Sequence, residues 1–168
     1  KEIVPNFNIR GNHSTGYKNP TLYTLKEHSV SNELSLDYND FTLSLFESDI
    51  GDLNTDGIEL SYNIDNFTIY GSHLNSKKND TVQLRRPEWN FGIGHIKVLP
   101  NDFNLTTNYN FKGEHLDVHN SNWSTISMPE LHMLDMGITK DYFNYEFGLS
   151  INNVLDEDYQ APHGFNQN

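Results

Sequence analysis

Hydrophobic residues recur at every second position through most of this chain and almost nowhere at helical spacing. In Gly57-Ile58-Glu59-Leu60-Ser61-Tyr62-Asn63-Ile64 each even position is apolar and each odd one is polar or glycine. Asn144-Tyr145-Glu146-Phe147-Gly148-Leu149-Ser150-Ile151-Asn152 repeats the pattern, as does the stretch from Phe103 to Phe111. The alternation predicts nine strands, near 5–13, 32–38, 41–49, 57–64, 67–74, 87–98, 102–111, 131–140 and 145–154, and no helix.

The connections add an order. Tyr38 and Phe41 are separated only by Asn39-Asp40, and Ile64 and Phe67 only by Asp65-Asn66. Such pairs suit two-residue hairpin turns, because Asn and Asp tolerate positive φ. Leu99-Pro100-Asn101-Asp102 and Asp141-Tyr142-Phe143-Asn144 are also short, while longer links are expected at 14–31, 50–56, 75–86, 112–130 and from 155 onward. Short and long alternate, so an up-and-down sheet would gather its tight turns at one end and its loops at the other. This all-β pattern predicts an antiparallel up-and-down transmembrane β-barrel, or about nine strands of a larger one, with short periplasmic turns and long extracellular loops.

A soluble barrel would alternate too, so the two registers have to decide. The apolar register, which includes Leu34, Leu36, Leu43, Leu60, Phe67, Leu105, Phe111 and Leu149, carries no charge. The other is dominated by Ser, Thr, Asn and Gly, with Phe46 and Tyr70 as its apolar exceptions. A solvent-facing sheet is normally rich in Lys and Glu, so this composition suits a hydrated interior or a surface packed on a polar domain. Tyr38, Phe41, Phe67, Phe103, Phe143 and Tyr145 all adjoin short turns, as an interfacial aromatic girdle requires. In 87–98 the apolar Trp89, Phe91 and Ile93 share a register with His95 and Lys97, which calls for a bulge or an interfacial position.

Composition narrows the partners. Eleven Lys and Arg stand against 23 Asp and Glu, a net charge of −12, and no basic run exceeds Lys77-Lys78 or Arg85-Arg86. Phosphate-backbone binding needs clustered cations, so nucleic acid is not an expected partner. The chain has no cysteine, which excludes disulfides, thiolate metal sites and cysteine nucleophiles. No stretch approaches the ~18 apolar residues of a membrane helix, and Lys1-Glu2-Ile3-Val4-Pro5 does not read as a secretory signal.

Three segments resemble the TonB-dependent outer-membrane receptors. Ser14-Thr15-Gly16-Tyr17-Lys18-Asn19-Pro20-Thr21-Leu22 is similar to the family's Gly-Phe-Lys-Ala-Pro-Thr-Leu segment. Leu84-Arg85-Arg86-Pro87 resembles its Arg-Arg-Pro strand entry, and Asn152-Asn153-Val154-Leu155-Asp156-Glu157-Asp158-Tyr159 its Asn-Leu-Phe-Asp-Lys-Asp-Tyr signature. His163-Gly164-Phe165-Asn166 looks like the Tyr-Gly-Tyr-Asn stretch of vitamin B12 receptors. The resemblance implies that 1–168 is the C-terminal part of a 22-strand barrel, without the plug domain and ending before the terminal strand. It implies active uptake of a scarce nutrient at the outer membrane of a Gram-negative bacterium, energised through the TonB complex by way of the plug. Cobalamin is the ligand favoured by the B12-receptor-like end; a ferric siderophore is the alternative, and haem the third. A soluble or degenerate ligand-binding barrel is the competing class.

Large, partly apolar ligands need flat contact surfaces on adaptable loops. Tyr17, Tyr23, Trp123 and Phe165, with Lys18 and His163, are therefore the candidate ligand contacts on the loop end. Lys18, Lys77, Lys78, Arg85 and Arg86 could steer an anionic chelate, bind lipopolysaccharide phosphates or balance acidic neighbours. Eight histidines raise the question of metal, above all in Glu114-His115-Leu116-Asp117-Val118-His119, but that spacing presumes a helix the pattern does not support. No metal and no cofactor is expected. His28 is the sole candidate for an axial haem ligand near Pro20. No nucleophile with a histidine partner emerges, and the carboxylate pairs fall in turns, so the chain is not expected to be an enzyme.

Overall fold

A computed structural model describes residues 2–18, 27–160, 162–164 and 166–167. Ten strands follow one another across a single antiparallel sheet. The first five are β1 (Glu2–Val4), β2 (Phe7–Lys18), β3 (Glu27–Tyr38), β4 (Phe41–Ile50) and β5 (Leu53–Ile64). Next comes β6 (Phe67–Lys78), which also pairs with the short β7 (Thr81–Val82). The order continues through β8 (Trp89–Leu99), β9 (Phe103–Lys112), β12 (Leu131–Tyr142) and β13 (Tyr145–Ile151). Between β9 and β12 stands a separate hairpin, β10 (His115–Val118) with β11 (Thr125–Met128); β14 (Tyr159–Gln160) pairs with β15 (Asn166–Gln167). The sheet does not close on itself, and β1 and β13 are its edges. Among the described residues the only helical element is a single 3₁₀ turn at Pro100–Asp102.

All nine predicted strands are present, and the four short turns expected from the sequence lie at one end of the sheet. Asn39, Asp65 and Phe143 open three of these turns with positive φ, the conformation that lets a two-residue link match the twist of its strands. The strand expected at 5–13 begins only at Phe7, after a turn in which Asn6 also has positive φ.

The opposite end differs from expectation. The link expected at 50–56 is a two-residue turn, Gly51-Asp52, and the strands flanking 14–31 run on to Lys18 and back from Glu27. β6 likewise continues to Lys78 and returns through Asn79-Asp80, both at positive φ, as a type I′ turn requires. Pairing persists here while the hydrophobic alternation fades. The register carries Ile64, Tyr62, Leu60 and Ile58 along β5 and then Asp56 and Asn54 on the same face. Across the sheet, His13–Asn32–Glu47–Asp56–Asn75 form a polar row directly above the apolar one.

Below that boundary the apolar face is a continuous band. One row reads Ile9–Leu36–Leu43–Leu60–Gly71–Phe91–Phe111, another Phe7–Tyr38–Phe41–Tyr62–Ile69–Ile93–Tyr109. β8 enters both neighbours in unbroken register, so there is no bulge; His95 and Lys97 belong to the tight-turn end, where His95 stacks on Phe67 at 4.2 Å.

The other face is held by polar pairs in register. Hydroxyls meet at Ser31–Ser48 (2.8 Å), Ser35–Ser44 (2.9 Å) and Thr55–Ser76 (3.0 Å). Arg10 grips Asp37 through Nε and Nη2, at 2.8 and 2.9 Å.

No dry core lies on either side. Among the described residues Met128 is the only buried hydrophobic one, and the other buried side chains are Ser35, Ser76 and Asp117. Phe67 and Leu149 remain 43% and 68% exposed. A soluble domain rarely leaves so extensive an apolar surface bare. Here the uncovered band is the uncharged one, charges on that face lying only above and below it.

Candidate functional site

The loop end carries the chemistry. The β10–β11 hairpin turns through His119-Asn120-Ser121-Asn122-Trp123-Ser124, where short polar side chains satisfy the backbone locally. The Ser124 amide donates to Asn122 Oδ1 (3.1 Å), the His119 amide to the Ser124 carbonyl (2.8 Å) and the Trp123 amide to the His119 carbonyl (3.1 Å). Trp123 adopts φ +60° and presents a ring that is 81% exposed.

Asp117 joins this hairpin to two other segments. Its side chain is completely buried. Arg85 donates from Nε to Oδ1 (2.6 Å), the His163 amide to Oδ2 (2.8 Å) and the Val118 amide to Oδ1 (2.7 Å). The Arg85 amide also donates to the Leu116 carbonyl (2.6 Å). Burial alone would raise the pKa of the Asp117 carboxyl, but the His163 amide, the Arg85 guanidinium and the Val118 amide outweigh it and hold it at about 2. Of the three roles open to Arg85, balancing an acidic neighbour is the one the geometry uses.

The histidines nearby serve the fold of the loops. The His119 and His163 rings lie 4.8 Å apart. Each Nδ1 accepts an amide hydrogen, from Ser121 (3.2 Å) and Asn120 (3.4 Å) respectively. A neutral ring so placed keeps its proton on Nε2, leaving no lone pair for a metal. Burial and neighbouring Lys112 push the His115 pKa down. Among the described residues no group of three His, Asp or Glu side chains could hold a metal ion. His28, the one residue considered for haem, packs edge-on to Tyr17 at 4.9 Å.

Of the six candidate contacts, Trp123 and His163 come together on this cluster. Tyr17, 67% exposed, stands at the loop end of β2, separated from β9 by β3, β4, β5, β6 and β8. Tyr23, Phe165 and the side chain of Lys18 lie outside the described residues. Sequence reasoning missed a cavity of about 480 Å³ between the hairpin and the 157–163 segment, lined by Lys112, His115, Met128, Glu157, Tyr159 and His163. His115, Glu157, Tyr159 and His163 each belong to segments singled out in the sequence, whereas Lys112 and Met128 carried no signal there.

No protein-family model and no curated protein matches the sequence. Solved structures do match its fold. FpvA of P. aeruginosa, solved with a heterologous pyoverdine–Fe complex, aligns over 94% of this chain with a TM-score of 0.76 at 12% identity. The ferric-catecholate import receptor Fiu of E. coli K12 in its closed form aligns over 94% with 0.75 at 12% identity, and the iron transporter FrpB of Neisseria meningitidis over 94% with 0.72 at 14%. None of the three is an enzyme. The chain spans 28%, 30% and 34% of their respective lengths. The fold is therefore that of a segment of the antiparallel barrel wall of such uptake receptors.

Proposed function

We propose that this chain is the C-terminal part of the barrel of an outer-membrane receptor that imports a ferric siderophore, energised through TonB by way of a plug domain. The carrying observation is the two-faced sheet. Its uncharged apolar band has no protein cover, and its hydroxyl- and amide-lined face suits a hydrated lumen. Lipid is the cover that such a band fits. Iron chelates, first an alternative to cobalamin, become the favoured ligand class, because the similar structures above are described as iron or siderophore receptors. Of the stretch that suggests cobalamin, the His163 amide donates to Asp117 and its Nδ1 accepts from the Asn120 amide. Trp123 and the 480 Å³ cavity supply loop contacts for a flat, partly aromatic chelate.

Uptake decides the matter. A strain lacking the gene, complemented with the full reading frame, is supplied with radiolabelled iron on catecholate and on hydroxamate siderophores, and separately with labelled cobalamin. Restored, TonB-dependent uptake of a ferric chelate is expected. Restored cobalamin uptake alone overturns the ligand, and uptake of neither overturns the transport function.

A further inference from the structure

The charges on the apolar face are sorted by end. Glu47, Asp49, Asp56 and Lys77 share that face at the loop end, above the band. Lys97 and Lys140 share it at the tight-turn end, and no carboxylate of the described strands joins them there. The nearby acidic pair, Asp141 opposite Glu146, belongs to the inner register. Among the described residues no ion pair is formed by either lysine.

The two lysines lie diagonally across β9. Lys97 is opposite Leu105 and Lys140 opposite Phe103, one row closer to the turns. Lys140 Nζ sits 4.6 Å from the centroid of the Phe103 ring. Beside it is a hollow of about 410 Å³ lined by Phe103, Ile138, Lys140, Tyr142, Phe147 and Leu149. The hollow, which Thr139 and Gly148 also line, is thus walled mainly by apolar side chains, with a single cation at the rim nearer the girdle.

A lysine on a lipid-facing surface lays its stem along apolar neighbours and sends its ammonium to the interface. There it needs an anion, and the described strands supply none on this face. A headgroup with net negative charge meets both lysines without a competing ammonium of its own; a zwitterionic lipid brings that competitor. We infer that Lys97 and Lys140, with the hollow beside Phe103, form a binding site for an anionic phospholipid of the phosphatidylglycerol type. Its phosphate lies between the two ammonium groups, and an acyl chain runs over Ile138 and Leu149. This rests on the membrane assignment proposed above and adds a lipid preference at one leaflet.

The test uses the full-length protein inserted into phosphatidylcholine vesicles doped with phosphatidylglycerol. Insertion is scored first, by protection from external protease. Lipid retained after detergent extraction is then counted by native mass spectrometry. Phosphatidylglycerol is expected to be enriched about tenfold over its vesicle fraction. That enrichment should fall to near parity in the double variant Lys97→Gln/Lys140→Gln and persist in Lys77→Gln, at the other end. Parity in the unaltered protein, or equal enrichment in the double variant, overturns the lipid site while leaving the membrane assignment standing. Failure to insert into any vesicle overturns both.

Discussion

Tyr70 lies across Gly92 on the neighbouring strand, inside the polar face where almost no other aromatic ring is found. The two residues are cross-strand partners, and a methyl group on Gly92 would meet the Tyr70 ring, at 2.7 Å from Cε1 and closer at Cζ. The Tyr70 hydroxyl reaches on to Asn110 Oδ1 two strands away. Phe46 and Gly57 repeat the arrangement on β4 and β5. The two apolar exceptions of the inner register are thus covers for glycines, a pairing that restores side-chain contact where the partner has none.

Gly92→Ala is expected to destabilise the refolded protein by about 1–3 kcal/mol through overpacking. Tyr70→Ala in the same chain should relieve most of that. Gly57→Ala should resist the equivalent rescue by Phe46→Ala, because its methyl also stands 2.6 Å from the His73 carbonyl oxygen, which belongs to the backbone. Urea midpoints of the four variants distinguish the cases; equal rescue at both sites would contradict this account.

Neighbouring residues on opposite faces test the band. Leu60→Arg places a charge in the apolar row, for which the expected penalty is about 2–4 kcal/mol at mid-depth. Glu59→Arg, one residue away on the hydroxyl-lined face, should change folding into vesicles far less. Equal losses of the folded fraction would mean that both faces meet water.

These tests separate what could be read in the sequence from what could not. Within the band, the alternation of an uncharged apolar register with a hydroxyl- and amide-rich one made strands, tight turns and faces readable, down to the pairs Asn39-Asp40 and Asp65-Asn66. Above the band both registers are polar, so Asp56 opposite Asn75 and Asn54 opposite Lys77 pair in a ladder without any hydrophobic signal. That is why the Gly51-Asp52 turn was mistaken for a loop. The Asp117 cluster was unreadable for another reason. Its members are 32 and 46 residues apart and meet only through folded loops, so no local spacing announces them.

The Asp117 cluster predicts a pH dependence with a definite sign. Its carboxyl is held at about 2, below the ordinary range near ~4. A group depressed on folding stabilises fully above its unfolded pKa, and that contribution is lost as pH falls through the folded value. Hydrogen-exchange protection at the Val118 and His163 amides, corrected for intrinsic rates, should therefore hold from pH 7 to 5 and decline between about 4 and 2. Arg85→Ala removes one of the three bonds, so the decline should begin at higher pH, with about 1–3 kcal/mol less protection throughout. Identical profiles would show that the guanidinium contributes nothing there.

Trp123 sets stability against binding. A bulky residue at φ +60° costs roughly 1–2 kcal/mol of backbone strain, and its 81% exposed ring recovers little by packing. Asparagine occupies the same region at lower cost and adds no glycine-like freedom to the unfolded chain. If the ring is kept for a ligand, Trp123→Asn should leave the β10–β11 hairpin as protected from exchange as before, or more so. Affinity of the full-length protein for the ferric chelate proposed above should meanwhile fall about tenfold, the scale of one aromatic anchor. His163→Ala should behave in the opposite way, loosening the hairpin because its Nδ1 accepts the Asn120 amide hydrogen and its ring faces His119. Calorimetric titration of the ferric chelate alongside exchange on both variants reads the two effects separately. Unchanged affinity in Trp123→Asn would make the ring a passenger of the turn, and the strain at that position would then need another cause.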